Sequence, residues 1–191
     1  QLISRGAINK IGNMLYDYGN SVWLASMGTI GKTVLGIYQI SELVTGILVN
    51  PFGGVISDRF SRRKILMTTD LVCGLLCLAI SFIRNDRWMI VALIVANIVQ
   101  AIAFGFSRPA NKAIITEVVE KEEIVTYNAH LELVLQVVSV SSPVFSFLVL
   151  QFASLHATLL LDALTFFIAF VLLFLFYFNL NYIPIMSNTS K

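Results

Sequence analysis

Apolar runs long enough to cross a bilayer recur along this chain, and short clusters of charge punctuate them. About 20 consecutive, mostly apolar residues span the hydrocarbon core of a membrane as a helix. The pattern predicts six such spans, over 8–30, 34–56, 65–83, 88–107, 128–152 and 157–179. Between the fourth and fifth lies a polar connector, 108–127. There Ile114, Ile115, Val118, Val119, Ile124 and Val125 alternate with Glu117, Glu120, Glu122 and Glu123. That alternation suits an amphipathic helix at the cytoplasmic interface, and its acidic polar face points to docking on protein rather than on lipid. The expected fold is an all-α membrane protein, one domain of six transmembrane helices.

Composition agrees. Of 191 residues, 57% are hydrophobic and 13% charged, where a soluble domain carries roughly 25% charged residues. Net charge is only +2, but its placement matters. With the N-terminus in the cytoplasm, ten basic residues fall on the cytoplasmic side and three outside (Lys32, Arg84 and Arg87). The reverse orientation would invert the positive-inside bias, so both termini are expected in the cytoplasm. The densest cluster, "GGVISDRFSRRK" at 53–64, becomes the cytoplasmic loop between spans two and three.

Other readings of that cluster lack support. Nucleic-acid binding would need a soluble basic surface with base-reading elements. A phosphate cradle would need the glycine spacing and Lys-Ser/Thr of a P-loop. Cys73 and Cys77 have neither zinc nor redox spacing and read as free apolar-packed thiols. No nucleophile elbow, metalloprotease motif or paired catalytic Asp motif occurs, and His130 and His156 have no ligand spacing, so no enzyme, metal or cofactor is expected. Residue 1 is Gln, and no secretory signal pattern is expected at the start.

Polar residues inside spans are the candidate chemistry, since an ionisable group at the bilayer centre costs roughly 2.5–3.5 kcal/mol on insertion scales and normally faces a cavity or a partner. Span one carries Asn9, Asn13, Asp17 and Asn20 on one helical stripe, bordered by Tyr16. Asp17 is the candidate for carrying a proton or recognising a cationic substrate, the alternative being a packing hydrogen bond between helices. Span two offers Tyr38, Glu42, Gly46 and Asn50 at offsets of four. Span four offers Asn97 and Gln100, and span five Glu132, Gln136 and Ser139. Asp162 is placed near the outer end of span six as a helix N-terminal residue, and Asp70 near the basic loop as its salt-bridge partner. Pro51 and Pro143 are candidate helix-bending positions.

The order Gly54, Asp58, Arg59, Arg62, Arg63 resembles the signature loop of the major facilitator superfamily, G-x-x-x-D-R-x-G-R-R/K, with Ser61 where the family has glycine. The position between spans two and three, the six spans and the long connector after span four are also similar to that family's N-terminal half. "NIVQAIA" is similar to its second motif, R-x-x-Q-G-x-G, with Gln100 kept and Asn97 in the arginine position. "SSPVFSF" resembles the antiporter motif with Pro143 kept. "SRPANKAII" and "LLLDALTFF" resemble bacterial macrolide and siderophore efflux members. The resemblance implies a multi-pass protein of the bacterial cytoplasmic membrane that moves a small amphipathic compound outward against protons. It implies that Asp58 meets a helix of a second six-helix half, so holding the outward-facing state. Physically, Arg59 and Arg62 are suited to pair with carboxylates on neighbouring helices.

A complete member of that family has two six-helix halves, so the expected partners are the bilayer, a small-molecule substrate, protons and a second half. That half would be a second copy or a separate chain. The alternative is a non-transporting membrane subunit or truncated product that associates with a full transporter and regulates it.

Overall fold

A computed structural model describes residues 2–118, 122–152 and 154–182. Six helices follow one another: α1 Leu2–Ser26, α2 Gly28–Arg59, α3 Arg62–Ile80, α4 Asp86–Val118, α5 Ile124–Phe152 and α6 Leu155–Tyr182. Within α2, α4 and α6, the stretches Gly28–Ser57, Asp86–Ile115 and Leu155–Leu175 are long and apolar enough to cross a membrane.

The helix breaks have local causes. Between α1 and α2 the chain turns at Met27 and Gly28, whose φ of +75° suits glycine. Gly31 then tucks against the Leu24 carbonyl, where a Cβ would collide. The break therefore falls several residues before the one expected around 30–34, because the apolar pattern does not mark a glycine turn. At the start of α4, the Asn85 side chain accepts hydrogen bonds from the backbone N–H groups of Arg87 (3.0 Å) and Trp88 (3.4 Å), an N-terminal cap. At the start of α6, His156 Nε2 lies 2.9 Å from the Ile83 carbonyl and ties that end to the α3–α4 loop.

The structure also differs from the sequence at 108–118, which continues α4 instead of starting a separate interfacial helix. Proline disfavours a helical residue before it, so "SRP" reads as a boundary. Here Pro109 stays inside the helix. Its missing N–H leaves the Gly105 carbonyl without its usual donor. That carbonyl abuts Gly53 of α2 so closely that a Cβ at Gly53 would overlap it. Beyond the proline, Ala110 and Ile114 pack with Leu66 of α3 and Leu173 of α6, and that burial carries the helix onward.

The packing has an internal symmetry. The closest pairs are α2 with α4, α1 with α6, α3 with α6, α3 with α4, and α1 with α5. Exchanging α1-α2-α3 for α4-α5-α6 maps α1–α5 onto α4–α2, α1–α6 onto α4–α3, and α3–α6 onto itself. This is the pattern of an inverted three-helix repeat. It sets α3 and α6 at the back and α1 and α4 in the middle. The flanking helices α2 and α5 keep broad apolar faces uncovered: Leu43, Ile47, Val137 and Val140 are 64% exposed or more. Such faces belong against lipid or another apolar body. The main core cluster, built on Tyr16, Leu24, Tyr38, Leu93 and Leu159, fills the end of the bundle near the α3–α4 loop.

Candidate functional site

Three polar nodes lie in or against this bundle. The first joins α1, α2 and α4. The buried Tyr38 hydroxyl accepts from Asn20 Nδ2 at 3.2 Å and donates to Asp17 Oδ1 at 3.4 Å. Asn97 Nδ2 donates to the Tyr38 carbonyl at 2.7 Å and reaches Ser41 Oγ at 3.4 Å. The stripe read on span one is therefore divided. Asn20 points inward and is fully buried, while Asp17 lies on the exposed flank of α1, reached by the Tyr38 hydroxyl. Glu42, one turn beyond Tyr38, is exposed on α2; it makes no hydrogen bond in this network, but its charge acts on Asp17 and Tyr38.

The second node is central. Asp162 is fully buried in α6. Its Oδ2 accepts from the Cys77 thiol at 3.3 Å and lies 3.5 Å from Gln100 Nε2, which also reaches Cys77 Sγ at 3.1 Å. Its Oδ1 has no hydrogen-bond partner among the described residues. The expected place for Asp162, at an outer helix end, is thus corrected: it stands two turns into α6, against Gly12 of α1. A Cβ at Gly12 would meet Asp162 Oδ1 and Thr165, so that glycine is what admits the carboxyl. Gln100 is drawn into this node and Asn97 into the first, although both come from the same short motif on α4.

The third node lies toward the signature loop. Arg5 of α1 grips Asp70 of α3 through contacts of 2.7, 2.9 and 3.1 Å, with both residues buried. Asn9 Nδ2 approaches Asp70 Oδ1 at 3.4 Å, and Arg5 Nη1 approaches Asn111 Oδ1 at 3.4 Å. The basic loop is therefore not the partner of Asp70. Sequence reasoning missed Arg5 because it counted that residue only for topology. The signal was present: Arg5, Asn9 and Asn13 follow at offsets of four, extending the stripe by a turn. A cavity of about 260 Å³ opens beside this pair, lined by Asn9, Lys10, Asn13 and Arg108 among others.

The signature loop itself joins α2 to α3 through Phe60 and Ser61. Arg62, expected to meet carboxylates, meets a backbone carbonyl: its Nη1 donates to the Ala113 carbonyl of α4 at 3.3 Å. Arg59 is exposed and Arg63 half-buried. Gly54 has no atom within 4 Å of where a Cβ would stand. The Asp58 and Pro143 side chains lie outside the described residues. Pro51 is exposed inside α2. Glu132 and Gln136 are exposed on α5 and join none of the three nodes.

Long apolar helices, inverted-repeat packing and polar side chains gathered within the membrane region define a multi-pass helical membrane protein. The family follows from comparison: the Major Facilitator Superfamily profile matches residues 8–189, and the chain belongs to that superfamily. It is also similar to the arabinose-proton symporter of Bacillus subtilis (strain 168), 28% identical over 113 residues. That match takes in 56% of this chain and 24% of the relative, so the chain spans about a quarter of that protein's length.

Proposed function

We propose that this chain supplies one six-helix body of a proton-coupled secondary transporter in the bacterial cytoplasmic membrane. Both its termini are cytoplasmic, and its cargo is a small amphipathic compound moved outward. The observation that carries the reading is the Asp17–Tyr38–Asn20 network. It puts a carboxylate on an uncovered flank of the central helix α1 and wires it to buried polar groups on α2 and α4. A group so placed exchanges with whatever fills the space in front of the helix, while its hydrogen bond from the Tyr38 hydroxyl couples its charge state to Tyr38 and through it to Asn20. Likeness to an arabinose-proton symporter supports proton coupling. The outward direction rests on the resemblance of the "SRPANKAII" and "LLLDALTFF" segments to efflux members.

Alternating access needs two bodies that rock around one site. The second six-helix body comes from the same polypeptide, a separate chain or a second copy. In this reading Gly54 and Asp58 meet that body, which suits the empty surroundings of Gly54. The test is proton-driven flux in liposomes containing the complete assembly. Asp17→Asn is expected to abolish the pH dependence of flux while leaving the assembly intact. Undiminished flux with an unchanged pH profile would return Asp17 to a packing role.

A further inference from the structure

We propose that the cavity beside Arg5 and Asp70 binds an amphipathic organic anion, a carboxylate or phosphate group carried on an apolar body. The transport reading is needed only to call this ligand cargo; binding itself does not depend on it.

The charge balance of the cavity wall carries the inference. Asp70 is the carboxylate in that wall, and Arg5 neutralises it through both oxygens. Lys10 and Arg108 remain. Neither forms an ion pair among the described residues. Arg108 sits over the Phe104 ring, 5.9 Å from its centroid, a contact that uses no N–H donor. Two cationic groups thus face a space of about 260 Å³ whose wall, among the described residues, holds no carboxylate besides Asp70; Asp17, which acts on Lys10 from further along α1, lies outside that wall. A water molecule occupies roughly 30 Å³ in the liquid, so a small organic molecule fits.

Two further features shape the ligand. Phe104, Leu131, Leu135 and Phe166 supply an apolar wall, which favours a hydrocarbon or aromatic body over a bare inorganic ion. Asn9 Oδ1 and Asn13 Oδ1 are buried acceptors without a hydrogen-bond donor among the described residues. Asn9 already points its Nδ2 at Asp70, which fixes its oxygen as the free atom. A hydroxyl or amide on the ligand would satisfy it. A cationic compound would meet half-buried Lys10 and exposed Arg108 as like charges, where one unit charge at close range is worth about tenfold in affinity.

The test uses the purified chain in phosphatidylcholine nanodiscs and three probes of one shape: benzoate, benzyl alcohol and benzylammonium. Equilibrium dialysis is expected to rank benzoate first, at least about tenfold above benzylammonium, with affinity falling as salt rises. Lys10→Gln and Arg108→Gln should each weaken benzoate by about tenfold, while Lys10→Arg restores it. Lys10→Met, which keeps the apolar stem, replaces Lys10→Gln should the latter fail to fold. Doping the nanodisc with phosphatidylglycerol separates two sources of the same chemistry. Competition assigns the site to a lipid headgroup, and its absence to a soluble anion. Undetectable benzoate binding, equal binding of the cation, or unchanged affinity in the charge-removing variants would overturn the proposal. Charge-selective binding without flux in the complete assembly would strike the transport reading alone. Flux without charge selectivity would strike this one alone.

Discussion

Replacing Asp70 with asparagine isolates the Arg5 guanidinium inside the bundle. The wild-type pair has three contacts between 2.7 and 3.1 Å, and both side chains are about 5% exposed. Asparagine keeps the volume but removes the charge and one acceptor. What remains for Arg5 is one neutral amide oxygen at position 70 and the 3.4 Å approach to Asn111, neither of which offsets its charge. Breaking a buried pair from one side costs about 3–5 kcal/mol, because the surviving charge is left desolvated. Removing both charges with apolar residues of similar volume is often neutral. The double variant Arg5→Met/Asp70→Leu is therefore expected within about 1 kcal/mol of wild type, so that the cycle shows strong coupling. The assay is reversible unfolding in mixed micelles with rising dodecyl sulfate, followed by circular dichroism. An Asp70→Asn variant within 1 kcal/mol of wild type, or a double variant as unstable as the sum of the singles, would refute the reasoning.

Other outcomes follow from the same geometry. Gly53→Ala should destabilise the body by about 1–3 kcal/mol through overpacking against the Gly105 carbonyl, whereas Gly54→Ala should stay within about 0.5 kcal/mol and weaken only association with a second six-helix body; equal effects at the two glycines would count against this. Native Cys73 and Cys77 are buried, so introduced thiols can be read cleanly: Asn85→Cys should label from outside and Ser61→Cys only from the cytoplasm, and the reverse would overturn the topology. Liposomes holding particles of this chain that bleach in one step should show no proton-driven flux, and flux from them would show that one body suffices.

Much of the fold was legible because the membrane fixes the length of an apolar run, and six helices were expected from that pattern; six follow one another in the structure, three of them with stretches long and apolar enough to cross a membrane among the described residues. Boundaries were less legible where the decisive event is three-dimensional. Pro109 reads as a stop in one dimension, and only the burial of Ala110 and Ile114 shows why α4 runs on. Asp162 was misplaced for a related reason. Its position in span six was readable, but the vacancy that accepts it is made by Gly12, 150 residues earlier in the chain. Asn13, Asn20 and Asn97 were legible as polar residues out of place in lipid. Which of them face each other was not, because helix periodicity gives a face and not its neighbour. Arg5 shows the opposite error, a charge assigned to solvent because it lies near a helix end.

Helices α2 and α4 touch at two levels, and a third contact reaches α4 from the start of α3. Asn97 holds the Tyr38 carbonyl near one end, Gly53 receives the Gly105 carbonyl further along, and Arg62, the first residue of α3, holds the Ala113 carbonyl. Two rods pinned at two heights, with the next helix fastened to one of them, behave as a single beam. A push delivered at the signature loop cannot be absorbed by sliding one rod along the other; it must tilt both. The far end of that beam carries Tyr38, whose hydroxyl touches Asp17. Force applied on one face of the membrane thus arrives, with little loss to bending, at a carboxylate tens of ångströms away along the helix.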